Sequence, residues 1–443
     1  MRVYTVGLYT LGCKVSQYET EAITEKFEAH GFTVLSFEEK CDVYVINTCT
    51  VTAESDRKCR QIIRRAIKKN PSAVIAVVGC YSQRSPEEIL AIDGVDIVTG
   101  TDDKLGVVER AEQVLNAIEK GESRPRISEV TDVMTVGFEP MKISRAPRAR
   151  AYVKIEDGCE SKCTYCAISA ARGRVRSKPK DDVIEEVSAL AASGVREIVL
   201  TGIETASYGS DFKNGYRLAD LIREIEEKVQ DVRIRLGSLA PELIGADFVK
   251  KVSGVKILAP HFHLSVQSGS DAVLRLMKRR YTAERAIENI ERLREAFPTA
   301  CFTTDLMVGF PGESEEDFLL TADFVRRVGL LDAHVFAYSR RKNTPAADYP
   351  NQIDEATKRE RSERLIKIKN EVRDSVLDGI IKRGAPLSVV AETALPDGSY
   401  TAHSDTYVEI NFKPQNDCRS LCGEVVWVMP VSHKDGIVFG KLI

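Results

Sequence analysis

Three closely spaced cysteines constrain this chain more than any other feature of its sequence. Cys159, Cys163 and Cys166 form a Cys-x3-Cys-x2-Cys run just after an apolar segment that reads as a strand. Three thiolates on one tight loop can hold three irons of a [4Fe-4S] cluster and leave the fourth iron open, because no fourth cysteine lies nearby. Buried thiols or a zinc site are the alternatives, but zinc sites favour paired Cys-x2-Cys or added His, and this loop contains no His. The run therefore predicts an iron–sulfur cluster with an open coordination position.

A second set of cysteines is dispersed along the first hundred residues. Cys13, Cys49 and Cys80 each follow a predicted strand by a few residues. Because the carboxyl ends of parallel strands meet at one edge of a sheet, three separate cysteines there can converge on one site. Position alone leaves a second interpretation open, since free cysteine is often a small buried apolar residue. That second interpretation is the one we adopt for Cys41, Cys59 and Cys301.

Length and composition exclude several classes of protein. A chain of 443 residues is long enough for two or three domains, and 43% hydrophobic with 29% charged residues fits neither a disordered nor a membrane protein. The net charge of −3 provides no general attraction for nucleic acid, so any polyanion must meet local basic patches. The early apolar run Val3–Leu11 is followed by Lys14 and by no small-residue cleavage site. We therefore expect a cytoplasmic protein without membrane association, in which cysteines serve as metal ligands rather than disulfides.

The order of apolar runs predicts an α/β architecture in the first part of the chain. Four runs that alternate with helix-like stretches read as strands: Val3–Tyr9, Val43–Ile46, Ala73–Val78 and Val95–Val98. This alternation favours a small parallel sheet. We assign residues 1–125 to an N-terminal domain and residues 126–150, which lack sustained periodicity, to a linker.

Two further domains are predicted after the linker. Six strand candidates alternate with amphipathic helices: Tyr152–Ile155, Glu197–Leu200, Val232–Leu236, His261–Val266, Cys301–Val308 and Ala333–Tyr338. They suggest a partial (β/α)6 barrel, whose domain we assign to residues 151–375. The charge-rich residues from about 353 to 382 predict a long amphipathic helix at the end of this domain. Short β-rich runs in residues 376–443 are typical of a small β-barrel.

The first cysteine run resembles the cluster loop of the radical S-adenosylmethionine (SAM) superfamily. The resemblance lies in Gly158–Cys166, including the aromatic Tyr165 before the last cysteine. It implies that the amino and carboxylate groups of SAM chelate the open iron of a [4Fe-4S] cluster. Reduction then cleaves SAM to a 5′-deoxyadenosyl radical, which makes Cys159, Cys163 and Cys166 the catalytic residues.

The dispersed cysteines resemble those of the methylthiotransferases within that superfamily. The motifs are Leu11–Val15, Asn47–Thr52 and Gly79–Cys80. In that family the corresponding cysteines ligate a second [4Fe-4S] cluster, here Cys13, Cys49 and Cys80. The resemblance covers the whole chain and implies an N-terminal methylthiotransferase domain, a radical SAM barrel and a C-terminal RNA-binding barrel of the TRAM kind.

The cysteine flanks also indicate a substrate. Leu11–Thr20 and Asn47–Thr52 are similar to the bacterial branch that modifies N6-threonylcarbamoyladenosine at position 37 of tRNA to its 2-methylthio derivative. The implied partners are tRNA, a sulfur donor and an electron donor. The same chemistry on isopentenyladenosine in tRNA or on a ribosomal protein is the alternative, and a non-catalytic iron–sulfur RNA-binding protein is an alternative of another class.

Three positions depart from the family pattern. Ser16 stands where Asn is usual, Ala167–Ala170 replaces a commoner Ile-Ile-Pro-aromatic stretch, and Ala240 precedes Pro241 where Glu is common. The cysteines are intact, so the class of chemistry is retained. The departures bear on substrate contacts and on SAM binding near Ala240.

Five residues near predicted strand ends are candidates for the SAM pocket: Glu204, Gln267, Ser268, Asp305 and Gly309. The superfamily resemblance implies that Glu204 holds the SAM amino group and that Asp305 and Gly309 border the adenosine. Each segment also has a simpler interpretation as a turn or helix cap. His261 and His263, on one of the same strands, are expected to point to opposite faces and so not to share a metal.

Local basic runs supply the RNA contacts that the net charge does not. Arg172, Arg174 and Arg176 directly follow the cluster loop and are the predicted RNA-binding residues. A second run over residues 57–69 has an equally good interpretation as a solvated helix face. The tail is acidic, and its aromatic residues are candidates for contacts with unpaired bases, although core packing is the simpler role for each: Tyr400, Tyr407 and Phe412.

Overall fold

The computed structural model describes residues 2–146, 149–414 and 420–443. The chain divides into two compact units that interleave along the sequence. The first comprises Met1–Ser144, Tyr152–Lys178 and Ser339–Ala347. The second comprises Arg145–Ala151, Pro179–Tyr338 and Asp348–Ile443.

The first unit is built on a six-stranded parallel sheet in the order β2-β1-β3-β4-β5-β6. Its strands are β1 Thr5–Thr10, β2 Thr33–Leu35, β3 Val43–Thr48, β4 Val74–Gly79, β5 Ile97–Thr99 and β6 Ile127–Glu129. Its helices are α1 Lys14–Ala29, α2 Ala53–Lys69, α3 Cys80–Arg84, α4 Pro86–Leu90 and α5 Val107–Glu119. The four predicted strands are all present. The two that were not predicted, β2 and β6, are three-residue edge strands, and β6 lies inside the stretch expected to be a linker.

Both faces of this sheet are covered, so its central strands are apolar throughout. Every residue of β3 and β4 is buried. One hydrophobic cluster contains Val45 and Val78 with residues of α1 and α5, and the other contains Ile46 and Val77 with residues of α2. Because strands buried on both faces appear in a sequence as continuous apolar runs, β3 and β4 could be predicted.

The first unit also contains the segment that carries the clustered cysteines. Its elements are β7 Arg150–Lys154, which begins in the second unit, then β8 Glu156–Asp157, α6 Ile168–Arg172 and β9 Arg176–Ser177. Strands β8 and β9 pair antiparallel, with Glu156 opposite Ser177 and Asp157 opposite Arg176. The cysteine loop lies between β8 and α6.

The second unit contains the remaining strands of the predicted partial barrel. Its strands are β10 Glu197–Thr201, β11 Arg233–Leu236, β12 His261–Gln267, β13 Cys301–Val308 and β14 Asp332–Ala337, in sheets ordered β11-β10-β7 and β12-β13-β14. Single bridges connect Ile234 to Leu258 and Leu239 to Leu264. The helices are α7 Lys180–Ala192, α8 Leu218–Lys228, α9 Ala246–Val252, α10 Asp271–Leu276, α11 Ala283–Ala296 and α12 Glu315–Val328. The pairs β10–β11, β12–β13 and β13–β14 are parallel, as the strand and helix alternation predicts.

A long helix leads to a closed barrel at the end of the chain. Helix α13 spans Glu355–Arg383, begins with an Asp354 cap and ends at Gly384 with a φ of 62°, the left-handed conformation that glycine favours. The barrel strands are β15 Leu387–Ala394, β16 Tyr400–Ser404, β17 Glu409–Lys413, β18 Val425–Lys434 and β19 Ile437–Leu442, closed in the order β15-β16-β17-β19-β18. The predicted small β-barrel is confirmed, with β16 as an additional strand. Within the described residues, no helix combines the length and apolarity needed to cross a membrane.

Candidate functional site

The dispersed cysteines lie at one edge of the first unit's sheet. Strands β1, β3 and β4 are neighbours, and their ends are in register, with Thr10 opposite Asn47 and Thr48 opposite Gly79. Cys13 is the N-cap of α1, Cys49 follows β3 directly, and Cys80 is the first residue of α3. The structure therefore brings the three predicted positions to the same edge.

Two glycines allow the loops at this edge to approach each other. Gly79 has a φ of 105°, and a Cβ there would lie 2.6 Å from both Asn47 Oδ1 and the Thr48 carbonyl oxygen. Gly12 has a φ of 142°, and a Cβ there would lie 2.8 Å from Ser16 Oγ. A side chain at Gly79 would push the segment of Cys80 away from β3, whereas a side chain at Gly12 would clash with Ser16 in its own segment.

Ser16, one of the departures from the family pattern, belongs to this edge. Its hydroxyl lies 3.8 Å from Cys13 Sγ, and its carbonyl accepts a hydrogen bond of 3.0 Å from Asn47 Nδ2. Ser16 is buried. The substitution thus places a small hydroxyl against the first cysteine of the set.

The three thiols differ in exposure and are electrostatically coupled. Cys13 is exposed, Cys49 is half-buried and Cys80 is buried. Burial, with a further contribution from the neighbouring Cys80 and Cys13, raises the pKa of Cys49 to about 12. Burial also raises the pKa of Cys80, an effect that the Arg172 guanidinium opposes. A cation at this edge would favour the thiolate forms that bind iron.

Arg172 is not the surface residue that the basic run suggested. Its side chain is fully buried, Nη1 lies 2.5 Å from Glu19 Oε1 and 3.0 Å from Asp157 Oδ2, and Nε donates a 3.2 Å hydrogen bond to Cys80 Sγ. The prediction that it contacts RNA is wrong, because all of these partners are inside the protein. Glu19 is far from Arg172 in sequence, so no local pattern could reveal the pairing.

Arg176 is also turned inward, whereas Arg174 is exposed. The Arg176 Nη1 donates hydrogen bonds to the carbonyl oxygens of Arg172 at 2.7 Å and Val133 at 3.2 Å. Its predicted RNA contact is wrong for the same reason as that of Arg172. Arg174 is the residue of this run whose exposure suits contact with a phosphate.

Arg172 belongs to a group of buried charges that sequence reasoning missed. Lys104 Nζ lies 2.5 Å from Glu19 Oε2, and Lys154 Nζ lies 3.1 Å from Glu19 Oε1. Although burial acts to raise the pKa of Glu19, its three cationic neighbours hold it well below the ordinary value. A paired carboxylate of this kind stays ionised inside the protein.

The clustered cysteines lie on a loop whose first two residues are held by hydrogen bonds. Cys159 N donates to the Gly173 carbonyl at 2.9 Å, and Gly158 N donates to Asp157 Oδ1 at 2.9 Å. Gly158 has a φ of 89°, and a Cβ there would overlap the Arg174 carbonyl. Farther along the loop, Cys166 N donates to the Cys163 carbonyl at 3.1 Å.

Both sets of thiols fit an iron–sulfur cluster. Cys159, Cys163 and Cys166 are thiols of intermediate exposure on one loop, and Ile168 N donates a 3.4 Å hydrogen bond to Cys166 Sγ. Hydrogen bonds to sulfur are a common feature of cluster ligands, and Arg172 supplies one to Cys80. In the part of the chain that the structure describes, no three His, Cys, Asp or Glu side chains are placed to hold a single metal ion. Thiolates that bind different irons of one cluster lie farther apart than ligands of one ion.

In the second unit, Glu204 follows β10 and accepts backbone hydrogen bonds. Its Oε1 accepts from Ala240 N at 2.8 Å and from Ala206 N at 3.4 Å. Burial raises the pKa of Glu204 to about 7, against the lowering effect of the Ala240 hydrogen bond. Ala240, the third departure, is therefore the backbone partner of Glu204.

Gln267, Ser268 and Gly309 lie at the carboxyl ends of β12 and β13. Gln267 has a φ of 71°, and Gly309, with a φ of 68°, donates from N to Glu313 Oε1 at 2.9 Å. The buried Ser268 hydroxyl lies 3.2 Å from Thr321 Oγ1 and accepts from Ser270 N at 3.1 Å. Gln267 and Gly309 thus place unusual backbone conformations at the strand ends, whereas Ser268 stabilises the turn after β12.

Asp305 lies within β13 between two histidines. Its Oδ2 is 3.3 Å from His263 Nε2, and its Oδ1 is 3.5 Å from His334 Nδ1. Burial acts to raise the pKa of Asp305, but the hydrogen bonds and charges of both histidines hold it well below its usual range. The expectation that His261 and His263 face opposite sides is wrong, because residues two apart in a strand share a face. Both lie 2.9 Å from Thr303 Oγ1.

The aromatic residues that were candidates for RNA contact pack against other residues of the protein instead. Tyr400 and Phe412 are buried in the barrel core, and Tyr407 stacks on His261 with ring centroids 4.4 Å apart. Trp427, which the sequence reasoning did not single out, is 54% exposed on β18. It lines a groove of about 680 Å³ together with Arg196 and Lys256.

Comparison with known families agrees with these features. Residues 153–325 match the radical SAM superfamily, and residues 5–100 match the family described as Uncharacterized protein family UPF0004. The fold resembles the radical S-adenosylmethionine methyltransferase TsrM from Kitasatospora setae, with a TM-score of 0.57 and 17% identity over 78% of this chain and 74% of that chain. The predicted radical SAM fold class is confirmed.

Relatives over nearly the whole chain define the family more narrowly. A Bacillus subtilis protein named threonylcarbamoyladenosine tRNA methylthiotransferase MtaB is 40% identical over 96% of this chain and 93% of its own length. A Thermotoga maritima protein of the same name is 37% identical over 92% and 91%. A Desulforamulus reducens protein named tRNA-2-methylthio-N(6)-dimethylallyladenosine synthase is 33% identical over 87% and 84%. The chain belongs to the tRNA methylthiotransferase family of radical SAM enzymes, which confirms the resemblance inferred from the cysteine motifs.

Proposed function

We propose that this enzyme converts N6-threonylcarbamoyladenosine at position 37 of tRNA to its 2-methylthio derivative. The observation that carries the proposal is the placement of two cysteine triplets in one compact unit, in which Arg172, at the end of the helix that follows the cysteine loop, is hydrogen-bonded to Cys80. Family membership supports the reaction class, and the names of the Bacillus and Thermotoga relatives support the nucleoside.

The two triplets have separate roles in this proposal. Cys159, Cys163 and Cys166 hold the cluster that binds SAM, and Cys13, Cys49 and Cys80 hold the second cluster. When bound, the two clusters and two SAM molecules supply three things: the sulfur, the methyl group, and a radical that removes the hydrogen from C2. A radical is needed because an adenine C2–H has no acidity for a side-chain base to use.

Residues of the second unit bind and orient SAM. The Glu204 carboxylate pairs with the SAM amino group, and the backbone at Gln267 and Gly309 approaches the nucleoside, with Asp305 at the border. Positive φ angles at Gln267 and Gly309 suit such an approach. Ser268 acts through the turn that positions Gln267.

The last part of the proposal concerns the regions of the chain and their contact with tRNA. The functional regions of this proposal are residues 1–125, 126–150, 151–375 and 376–443, and the last region is a TRAM barrel. Arg174 contacts a phosphate, and a tRNA substrate places the enzyme in the cytoplasm. A small sulfur donor and a one-electron donor complete the partners.

Anaerobic reconstitution tests the proposal. The reconstituted protein is given SAM, a strong reductant, sulfide and tRNA that carries threonylcarbamoyladenosine, and the digested nucleosides are weighed. We expect a methylthio mass gain on that nucleoside, lost in Cys159→Ala and in Cys13→Ala. Formation of 5′-deoxyadenosine without the gain would contradict the substrate; absence of both products, with both clusters present, would contradict the enzyme.

Isopentenyladenosine in tRNA is the second candidate substrate. Relatives named for the dimethylallyladenosine product are 31–34% identical over most of this chain. A parallel reaction with tRNA that carries isopentenyladenosine decides between the two. We expect no methylthio gain on that nucleoside.

A further inference from the structure

Two short helices that pack against each other connect the two cysteine sites. Helix α3 begins at Cys80, and helix α6 begins two residues after Cys166. The helices pack against each other within the first unit. The last residue of α6, Arg172, reaches from the helix that follows one triplet to a sulfur of the other triplet.

Two consecutive residues, Arg172 and Gly173, form hydrogen bonds with both cysteine sites. The Arg172 Nε donates to Cys80 Sγ at 3.2 Å, and the next residue accepts the Cys159 N–H at 2.9 Å. Asp157 completes the connection: its Oδ2 lies 3.0 Å from Arg172 Nη1, and its Oδ1 accepts from Gly158 N at 2.9 Å. A continuous chain of hydrogen bonds therefore runs from Cys80 to the residue before Cys159.

The geometry of Arg172 leaves little freedom in where its guanidinium points. The side chain is fully buried, and its Nη atoms are occupied by Glu19 and Asp157. The planar guanidinium presents its donors in a fixed fork, so the two carboxylates orient Nε toward Cys80. An ammonium at this position would retain the charge without that directed donor.

We infer that Arg172 is a positioning residue that holds Cys80 and raises the reduction potential of the cluster bound by Cys13, Cys49 and Cys80, an inference that rests on the proposed function. A positive charge and a hydrogen bond at a ligand sulfur both stabilise the reduced, more negative form of a cluster. Because Asp157 shares the same guanidinium, Arg172 also fixes the distance between this sulfur and the loop of Cys159. The two sites are thereby coupled through one side chain.

The test uses full-length protein in which Cys159, Cys163 and Cys166 are all Ala, so that only the second cluster forms. After anaerobic loading with iron and sulfide, the potential is measured by a reductive titration followed by electron paramagnetic resonance. Arg172→Lys keeps the charge opposite Glu19 and Asp157 but lacks Nε, so it should fold. We expect it to lower the one-electron reduction equilibrium constant about tenfold, equivalent to 59 mV.

Three controls separate this role from a general structural one. Arg174→Gln removes an exposed arginine two residues away and should leave the potential unchanged. Arg172→Gln should lower the equilibrium constant more than Arg172→Lys. The third control is protein with Ala at Cys13, Cys49 and Cys80, which can form a cluster only on the Cys159 loop. In that protein, Arg172→Lys should change the one-electron reduction equilibrium constant of the cluster by less than twofold.

The outcomes distinguish the inference from the proposed function. An intact cluster whose potential Arg172→Lys does not change overturns the inference and leaves the proposed function standing. Equal shifts at both clusters also overturn it, because they indicate a general loss of structure. If no cluster forms on Cys13, Cys49 and Cys80 with Arg172 in place, both the inference and the proposed second cluster are overturned.

Discussion

At the scale of single residues, chemistry at short sequence spacing was predictable and long-range pairing was not. The spacing from Cys159 to Cys166 is enough to predict an iron–sulfur cluster with an open coordination position. Arg172 and Arg174 carry the same charge and lie two residues apart, yet one is buried against Glu19 and the other is exposed. The difference depends on a carboxylate far away in sequence, which a single sequence does not place.

Gly79 is a residue whose replacement should disturb the second cysteine site. Gly79→Ala puts a Cβ 2.6 Å from the Thr48 carbonyl at a φ of 105°. We expect a loss of about 2 kcal/mol in the free energy of unfolding, measured in urea, and lower iron content on Cys13, Cys49 and Cys80. Gly121→Ala is the matched control, because Gly121 also has a positive φ but open space around it. Equal losses in both variants would show that backbone conformation, not the close approach, is responsible.

Glu204 should make stability and SAM binding depend on pH in opposite directions. Its pKa of about 7 lies above the value of an unfolded Glu, so the native state binds more protons between about pH 4.5 and 7. Stability is therefore highest below that window and falls by about 3 kcal/mol as the pH rises through it. SAM affinity should rise over the same window, because pairing with the SAM amino group needs the carboxylate.

The measurement is thermal and urea unfolding of the full chain at several pH values, with SAM binding measured in parallel. Glu204→Gln should flatten both curves, whereas Glu316→Gln, at an exposed position on α12, should change neither. A Glu204→Gln variant whose SAM affinity still rises with pH would contradict the assigned role of Glu204.

At the scale of elements, the burial of a strand determined whether it could be predicted from the sequence. Strands β3 and β4 are buried throughout and were predicted, whereas β2 and β6 are three residues long and partly exposed and were not. The sequence also did not show that the loop Ser339–Ala347 belongs to the first unit, because the loop joins that unit through contacts with residues far away in the sequence. Ala346 N donates to the Thr164 carbonyl at 2.9 Å, which ties this loop to the cysteine run.

Arg341 connects the same loop to the segment that carries Cys49. Its Nη1 lies 2.6 Å from Asp56 Oδ2, and its Nη2 donates to Thr50 Oγ1 at 2.6 Å. Arg341→Met leaves the largely buried Asp56 without its cation, so we expect a loss of about 3 kcal/mol in the free energy of unfolding. Iron content on Cys13, Cys49 and Cys80 should fall more than iron content on the Cys159 loop.

Lys342→Met is the matched control for that prediction, since Lys342 is exposed and contributes its backbone carbonyl to Arg84. Separate iron analyses in proteins that retain one triplet each give the comparison. Equal loss of iron from both sites in Arg341→Met would indicate that the loop supports the whole unit rather than the Cys49 segment.

At the scale of the whole molecule, a net charge of −3 means that tRNA affinity depends on a few local contacts. Arg174 is an exposed cation beside the cysteine loop. Replacing it with Gln should weaken tRNA binding and reduce the slope of affinity against salt by about one. A slope that does not change would exclude Arg174 as a phosphate contact.

Trp427 allows the proposed RNA-binding role of the C-terminal barrel to be tested without disturbing its core. Trp427 is 54% exposed and lines a groove with Arg196 and Lys256, an arrangement of aromatic and basic groups that suits an unpaired base and its phosphate. Trp427→Ala should weaken tRNA binding by about tenfold, since stacking of one base contributes about 1–3 kcal/mol, and should leave the salt slope unchanged. Phe439→Ala removes another exposed aromatic side chain of the barrel, one that does not line this groove, and should have no such effect. Equal affinity of Trp427→Ala and the unmodified protein for tRNA would remove this face of the barrel from the binding surface and leave the contacts to the region around Arg174.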